Sequence, residues 1–79
     1  KVDMKTIKLK KIKAGDYDVL VDGIKKYEIT NVKDYHPVEG KINLWNVKFE
    51  NNHEMYGEFE TKYFLWEAKQ FINKLEGVA

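Results

Sequence analysis

Two pairs of carboxylates have the residue types and spacing that could support catalysis. Asp16 and Asp18, and likewise Glu58 and Glu60, lie two positions apart, so on a strand both members of a pair project from the same face, about 7 Å apart. Such a pair can supply a general acid and a general base if its surroundings raise one pKa. Nothing in the neighbouring sequence would do so, and we interpret both pairs as solvated surface charges.

Nucleophilic and metal chemistry have few candidate residues. The sequence contains no cysteine, serine or arginine, so the hydroxyl nucleophiles are three threonines, and no disulfide framework is expected. His36 and His53 fall in predicted turns, and although Glu54 follows His53, the histidines lack the i, i+4 helical spacing of a zinc site. The glycines are isolated and form no phosphate-binding loop. We therefore expect a protein that is not an enzyme and that binds no metal or cofactor.

The composition is that of a folded domain. Of the 79 residues, 43% are hydrophobic, 14% aromatic and 34% charged, a balance typical of globular proteins. The length favours a single domain, residues 1–79, with a small core. No apolar run reaches the length of a membrane span or has the character of a signal sequence. Because the sequence contains no cysteine, a cytoplasmic location is expected.

The charge is distributed unevenly although the net charge is +1. Residues 1–13 carry six lysines and one aspartate, which gives +5 and leaves −4 for residues 14–79. A basic leader of this kind can contact phosphates or another anionic surface. An edge strand protected by lysines has the same pattern. The candidate nucleic-acid contacts are Lys5, Lys8, Lys10, Lys11, Lys13, Lys25 and Lys26.

Alternating apolar and polar residues predict an antiparallel β-meander. Residues 6–12 and 17–21 alternate with the period of a strand, and Asp22-Gly23 favours a two-residue hairpin turn because both positions tolerate positive φ. Residues 24–32 form the return strand. A loop around Pro37 then leads to a strand over residues 41–49, and Asn51-Asn52 predicts a second tight turn.

The last predicted strand, residues 53–60, has one apolar and one acidic face. The side chains expected to face inward are Met55 and Phe59, with Gly57 between them. The alternate positions then face outward. They are Glu54, Tyr56, Glu58 and Glu60.

A helix is predicted over residues 61–76, with Thr61 as N-cap and Gly77 as the residue that ends it. Its apolar stripe consists of Leu65, Ala68, Ile72 and Leu75, flanked by Phe64 and Phe71. The predicted fold class is α+β: an antiparallel β-meander of three to four strands over residues 14–60, with one C-terminal helix packed on one face.

An exposed surface is predicted beside the helix stripe. Tyr63 and Trp66 lie to one side of the stripe, and such residues are enriched in binding hot spots. Alternatively, Trp66 folds back over the sheet and enlarges a small core. With the acidic strand, this surface suits a basic protein partner. The predicted protein-binding residues are Glu54, Tyr56, Glu58, Glu60, Tyr63 and Trp66.

Two segments carry a resemblance to known domains. "LKKIKAGDYDVLVDGIKKYEI" and "MYGEFETKYFLWEAKQFINKL" resemble a type of small sheet-plus-helix domain that is common in bacteriophages. This resemblance implies a phage or mobile-element accessory protein in the cytoplasm of a host cell. The C-terminal segment also resembles the last strand and helix of AP2-type and integrase N-terminal domains, which implies DNA binding through the sheet. The matching residues are Gly57, Phe59, Thr61, Glu67 and Ala68.

Two functional hypotheses therefore stay open. The favoured one is a non-catalytic accessory protein that binds, and in one version inhibits, a host protein. The alternative is a nucleic-acid-binding module that uses the lysines of the N-terminal region. A homodimer is a further way to bury exposed aromatic residues or an open sheet edge.

Overall fold

One antiparallel sheet and one helix make up the structure, a computed structural model that describes residues 5–78. The strands lie in the sheet in chain order. The elements are β1 (Ile7–Lys13), β2 (Asp16–Val21), β3 (Ile24–His36), β4 (Gly40–His53), β5 (Gly57–Lys62) and α1 (Leu65–Leu75).

The α+β class and the antiparallel sheet are confirmed, but the predicted number of strands is wrong. The sheet has five strands, because Ile7–Lys13, within the basic segment, pairs with β2 as an edge strand. Lys1 and Asp3, which were counted in the charge of the basic segment, lie outside the described residues. Strands β3 and β4 are also longer than predicted, and together they form a long hairpin.

The turn at Asp22-Gly23 is confirmed. Both residues have positive φ, 53° and 84°, as a two-residue hairpin turn requires. The predicted turn at Asn51-Asn52 is wrong, because both residues lie within β4 and the chain turns only after His53.

Two histidines organise the β3–β4 turn and the β4–β5 turn in the same way. His36 Nδ1 accepts hydrogen bonds from the backbone N–H groups of Val38 and Glu39. His53 Nδ1 accepts from those of Met55 and Tyr56. Each turn ends at a glycine, Gly40 or Gly57, that pairs with its histidine and has positive φ. The recurring His-x-x-x-Gly pattern is therefore a turn signal in this chain.

The core lies on one face of the sheet. Cross-strand pairing puts Val19 beside Tyr27 and Tyr27 beside Phe49, and it puts Ile29 beside Val47. These side chains are buried in one cluster with three residues of α1. The helix residues are Ala68, Phe71 and Ile72.

The orientation predicted for β5 is wrong. Glu60 pairs with Val47, and Phe59 pairs with Lys48, so Glu60 shares the face of the buried Val47 and Phe59 points to the opposite face. Met55 is exposed in the β4–β5 turn. The hydrogen-bonded register of β5 with β4 decides which β5 side chains face the core. The apolar pattern of the short strand did not reveal this register.

The helix begins later than predicted. Thr61 belongs to β5, where its hydroxyl donates to Asn46 Oδ1 at 2.8 Å, and Phe64 occupies the N-cap position without a side-chain capping bond. The C-terminal end is as predicted. Gly77 has φ of 74°, its N–H donates to the Lys74 carbonyl, and the Val78 N–H donates to the Asn73 carbonyl, a Schellman arrangement.

Candidate functional site

Three large side chains at the junction between β5 and α1 are exposed to solvent. The exposed fractions are 63% for Tyr63, 56% for Phe64 and 58% for Trp66. The Phe64 and Trp66 rings stack with centroids 6.2 Å apart and planes 12° from parallel. We refer to Tyr63, Phe64 and Trp66 as the open cluster. Trp66 therefore does not fold back over the sheet, and the prediction that Phe64 flanks the core is wrong.

The local backbone explains why these rings are displayed. Strand β5 ends at Lys62 and α1 begins at Leu65, so Tyr63 and Phe64 form a two-residue connection. Phe64 is extended (φ −129°, ψ 150°), and its carbonyl accepts from the N–H groups of Glu67 and Ala68. These bonds fix the backbone at the helix start while the Phe64 ring stays outside the helix. The open cluster is thus held on a well-defined segment.

Two shallow grooves flank the open cluster. The first, the hairpin groove, lies between the junction and the long β3–β4 hairpin. It is lined by Asn31, Lys33, Glu39, Ile42, Asn43, Trp45, Tyr63 and Phe64. The second, the helix groove, lies between β5 and α1. It is lined by Tyr56, Glu60, Lys62, Trp66, Glu67, Gln70, Phe71 and Lys74.

The structure brings together three of the six predicted protein-binding residues. Tyr56, Glu60 and Trp66 meet in the helix groove, whereas Tyr63 borders the hairpin groove. Glu58 is exposed on β5, and Glu54 is exposed in the turn before it.

Tyr56 is half-buried and packs against other aromatic rings. Its ring meets Phe71 edge-on at 4.9 Å and stacks on Phe49 at 6.1 Å. We refer to Phe49, Tyr56 and Phe71 as the packed cluster. Tyr56 therefore supports the core beneath the helix groove, rather than standing on an exposed acidic face.

The predicted nucleic-acid lysines do not gather on one surface. Lys8 and Lys10 project from the face opposite the helix, and Lys11 projects from the helix side, because they alternate along β1 opposite β2. Lys25 forms ion pairs with Glu28 at 2.6 Å and Asp18 at 3.4 Å. The hydrogen bond to Glu28 is the main cause of a raised Lys25 pKa.

Lys5 and Lys26 form an ion cluster around a buried carboxylate at the end of α1. The Glu76 carboxylate, with its side chain 2% exposed, lies 3.0 Å from Lys5 Nζ and 2.9 Å from Lys26 Nζ, and it accepts a hydrogen bond from the Tyr27 hydroxyl. Burial alone would raise the Glu76 pKa. The hydrogen bonds from Tyr27, Lys26 and Lys5 outweigh burial and lower that pKa to about 2.

The same cluster affects Tyr27. Burial, followed by its hydrogen bond to the Glu76 carboxylate, strongly raises the Tyr27 pKa, so the hydroxyl stays a donor. The Glu76 carboxylate interacts with Tyr27, Lys26 and Lys5, so Glu76 links α1 to β3 and to the N-terminal region. It was not singled out in the sequence because its neighbours there give no sign of burial.

No metal or membrane-spanning feature is found in the described part of the chain. Within residues 5–78, no group of three or more His, Asp or Glu side chains is placed to hold a metal ion. No α-helix there has the length and apolar character needed to cross a bilayer.

Comparison with known proteins gives no match to a family model, to a curated protein or to a solved structure. The resemblances to bacteriophage domains and to AP2-type or integrase N-terminal domains therefore stay predictions from sequence.

Proposed function

We propose that this protein is a non-catalytic accessory domain that binds another protein through the open cluster. The observation that carries the proposal is the exposure of three adjacent aromatic side chains on a defined backbone segment. Aromatic residues dominate the binding energy of many interfaces because they bury a large area with few rotatable bonds. The open cluster differs from other exposed aromatic residues, such as Tyr35 and Phe59, because three exposed rings fall within a four-residue stretch and two of them stack on each other.

The surroundings of the open cluster fit the general anatomy of an interface, in which an apolar centre has a polar rim. Lys33 and Glu39 lie in the hairpin groove, and Glu60 and Glu67 lie in the helix groove. A complementary partner would offer an apolar pocket for the stacked Phe64 and Trp66 rings. Basic groups at its rim would face the glutamates of β5 and the first helical turn.

Alanine substitutions test the proposal against a matched control. The immobilised protein is first used to isolate a partner, whose affinity is then measured by calorimetry. Trp66→Ala and Phe64→Ala should each weaken binding about 10-fold or more. Tyr35→Ala removes an aromatic side chain that is at least as exposed, but on the distal part of the β3–β4 hairpin, and should leave the affinity unchanged.

The stability of each variant separates a binding role from a structural one. Because the open-cluster rings are largely exposed, each variant should unfold within about 0.5 kcal/mol of the unmodified protein. Normal affinity in a Phe64→Ala, Trp66→Ala double variant would contradict the proposal. So would a large loss of stability on Trp66→Ala.

Nucleic-acid binding is the alternative function, and one observation favours it. Lys8, Lys10, Lys11 and Lys13 form no ion pair among residues 5–78. Duplex binding that falls steeply with salt, and that is lost when these lysines are changed to glutamine, would support this alternative. The open-cluster variants would then bind duplex DNA normally.

A further inference from the structure

The sheet has two open edges. Strands β1 and β5 are the outermost strands, and among residues 5–78 no other strand pairs with their outer sides. Each edge therefore presents unpaired backbone N–H and C=O groups, which are a template for pairing with another strand.

The two edges carry opposite charge. Strand β1 has four lysines and no acidic residue, whereas β5 has Glu58 and Glu60 with one lysine, Lys62. Pairing β1 with a second β1 would bring lysines together, and pairing β5 with a second β5 would bring glutamates together. Symmetric edge pairing is thus disfavoured by charge, but pairing of β1 with β5 is favoured.

We infer that β1 of one copy pairs with β5 of another copy and continues the sheet. The charges select the antiparallel arrangement. In a single copy, Lys8 and Lys10 project from the face opposite the helix, and Glu58 and Glu60 project from the helix side. Turning one copy over brings these four side chains to the same side of the joined sheet, and it also makes the paired strands antiparallel, the more stable pairing.

One register satisfies both faces of the joined sheet. When Lys10 lies opposite Glu58, Lys8 lies opposite Glu60, because antiparallel positions run in opposite directions. On the other side, Phe59 then lies opposite Leu9. This contact gives a role to Phe59, which is 47% exposed on the face opposite the helix.

The inferred contact uses two different surfaces of each copy, so it is a head-to-tail contact that can repeat. Successive copies would place their helices on alternate sides of the extended sheet. Each cross-strand ion pair between exposed groups is weak and screened by salt. Association is therefore expected at high protein concentration and low ionic strength.

Charge exchange provides the test, with mass measured by sedimentation velocity. At about 20 mM salt the average mass of the unmodified protein should rise with concentration, and at about 500 mM salt it should fall back toward the monomer. Lys8→Glu with Lys10→Glu makes the pairing positions of both edges acidic, and Glu58→Lys with Glu60→Lys makes the pairing positions of both edges basic. Each double variant alone should stay monomeric, and an equimolar mixture should associate.

Several outcomes would overturn the inference: a monomer at every concentration, undiminished association of either double variant alone, or a mixture that fails to associate. Thermal unfolding of each variant checks that the fold is retained. Association that is lost on Trp66→Ala but kept in both double variants would assign self-association to the open cluster, and it would leave the edges without this role. Phe59→Thr changes no charge. In a protein that keeps the original lysines and glutamates, it should weaken self-association several-fold.

Discussion

The open cluster lies at the start of α1, and the packed cluster lies about two helical turns further along. Both contain aromatic side chains, but those of the packed cluster are packed against one another in the core and those of the open cluster are exposed. In the packed cluster, Phe71 contacts both Phe49 and Tyr56, at 6.3 and 4.9 Å between ring centroids. Lys62 Nζ also lies 4.7 Å from the centre of the Phe71 ring. In the open cluster, Phe64 and Trp66 stack on each other and face solvent.

The difference shows which aromatic residues the fold requires. A small domain with a single sheet and one helix has limited apolar area to bury, and the packed cluster supplies part of it where the helix crosses β4 and β5. The open cluster contributes little to that area. Its rings are therefore available for an interface at little cost to folding, which is why it is the better candidate for a binding site.

The largest expected effect comes from emptying the packed cluster. Phe71→Ala should lower the free energy of unfolding by about 3–5 kcal/mol, because it removes a buried ring and leaves a cavity between the helix and the sheet. Phe64→Ala is the matched variant in the open cluster and should cost no more than about 0.5 kcal/mol. Urea denaturation monitored by circular dichroism measures both.

A small loss on Phe71→Ala would mean that the helix contributes little to the core. A loss on Phe64→Ala as large as that on Phe71→Ala would remove the distinction between the clusters. Phe71→Leu, which keeps much of the buried volume, should fall between the two.

The second expected effect is that the free energy of unfolding depends on pH through the ionisation of Glu76. Glu76 has a pKa of about 2 in the folded protein instead of the usual 4.5, so its stabilising contribution is complete above about pH 5 and disappears as the pH falls toward 2. The shift corresponds to a loss on the order of 3 kcal/mol over that range. Unfolding curves across the range measure it.

Glu76→Gln is the control for this pH dependence. Its stability at neutral pH should be lower, since the ion pairs with Lys5 and Lys26 are lost, and its decline between about pH 5 and pH 2 should be shallower. The same decline in Glu76→Gln and in the unmodified protein would show that other carboxylates cause it.

The smallest expected effect distinguishes the two histidine turns. His53→Ala should cost about 1–3 kcal/mol, because it removes the acceptor for two backbone N–H groups and also ring contacts with Phe49 and Tyr56 at 5.0 and 4.9 Å. His36→Ala loses the same kind of acceptor in an exposed turn and should cost less than about 1 kcal/mol. Chemical denaturation of the pair measures the difference.

Aspartate at each position tests the role of the acceptor. His36→Asp should restore most of the stability that His36→Ala loses, because an aspartate side chain can accept from the same turn N–H groups. His53→Asp should restore less, because the packed ring is lost as well. Equal losses for His53→Ala and His36→Ala would show that the ring contacts of His53 add nothing.

Local rules predicted the parts of the fold that depend on neighbouring residues. Asp22-Gly23 and Gly77 were identified correctly because their conformations need positive φ. The alternation that indicated β2 also held, since it reflects burial of every second side chain. Tyr63 and Trp66 were identified as exposed candidates from their position beside the helix stripe.

The remaining features depend on contacts between distant residues. The register of β5 with β4 decides which β5 side chains face the core, so the face from which Phe59 projects could not be predicted from the sequence of β5 alone. Thr61 has the residue type of an N-cap, yet it bonds Asn46 across the sheet. Glu76 is buried because Tyr27, Lys26 and Lys5 converge on it from other parts of the chain. The repeated His-x-x-x-Gly spacing was a visible signal for the β4–β5 turn, and it was missed in favour of Asn51-Asn52.

The Glu76 ion cluster also determines where the two ends of the described chain lie. Lys5 contacts Glu76 directly, so residues 5 and 78 emerge at the same corner of the molecule, away from the β3–β4 turn at Val38, which is exposed. A short linker between these ends, with new termini opened at Val38, would give a circular permutant in which the strand pairing and both aromatic clusters are retained. The two halves of the long hairpin would stay paired along β3 and β4, and the new termini would lie at its distal end.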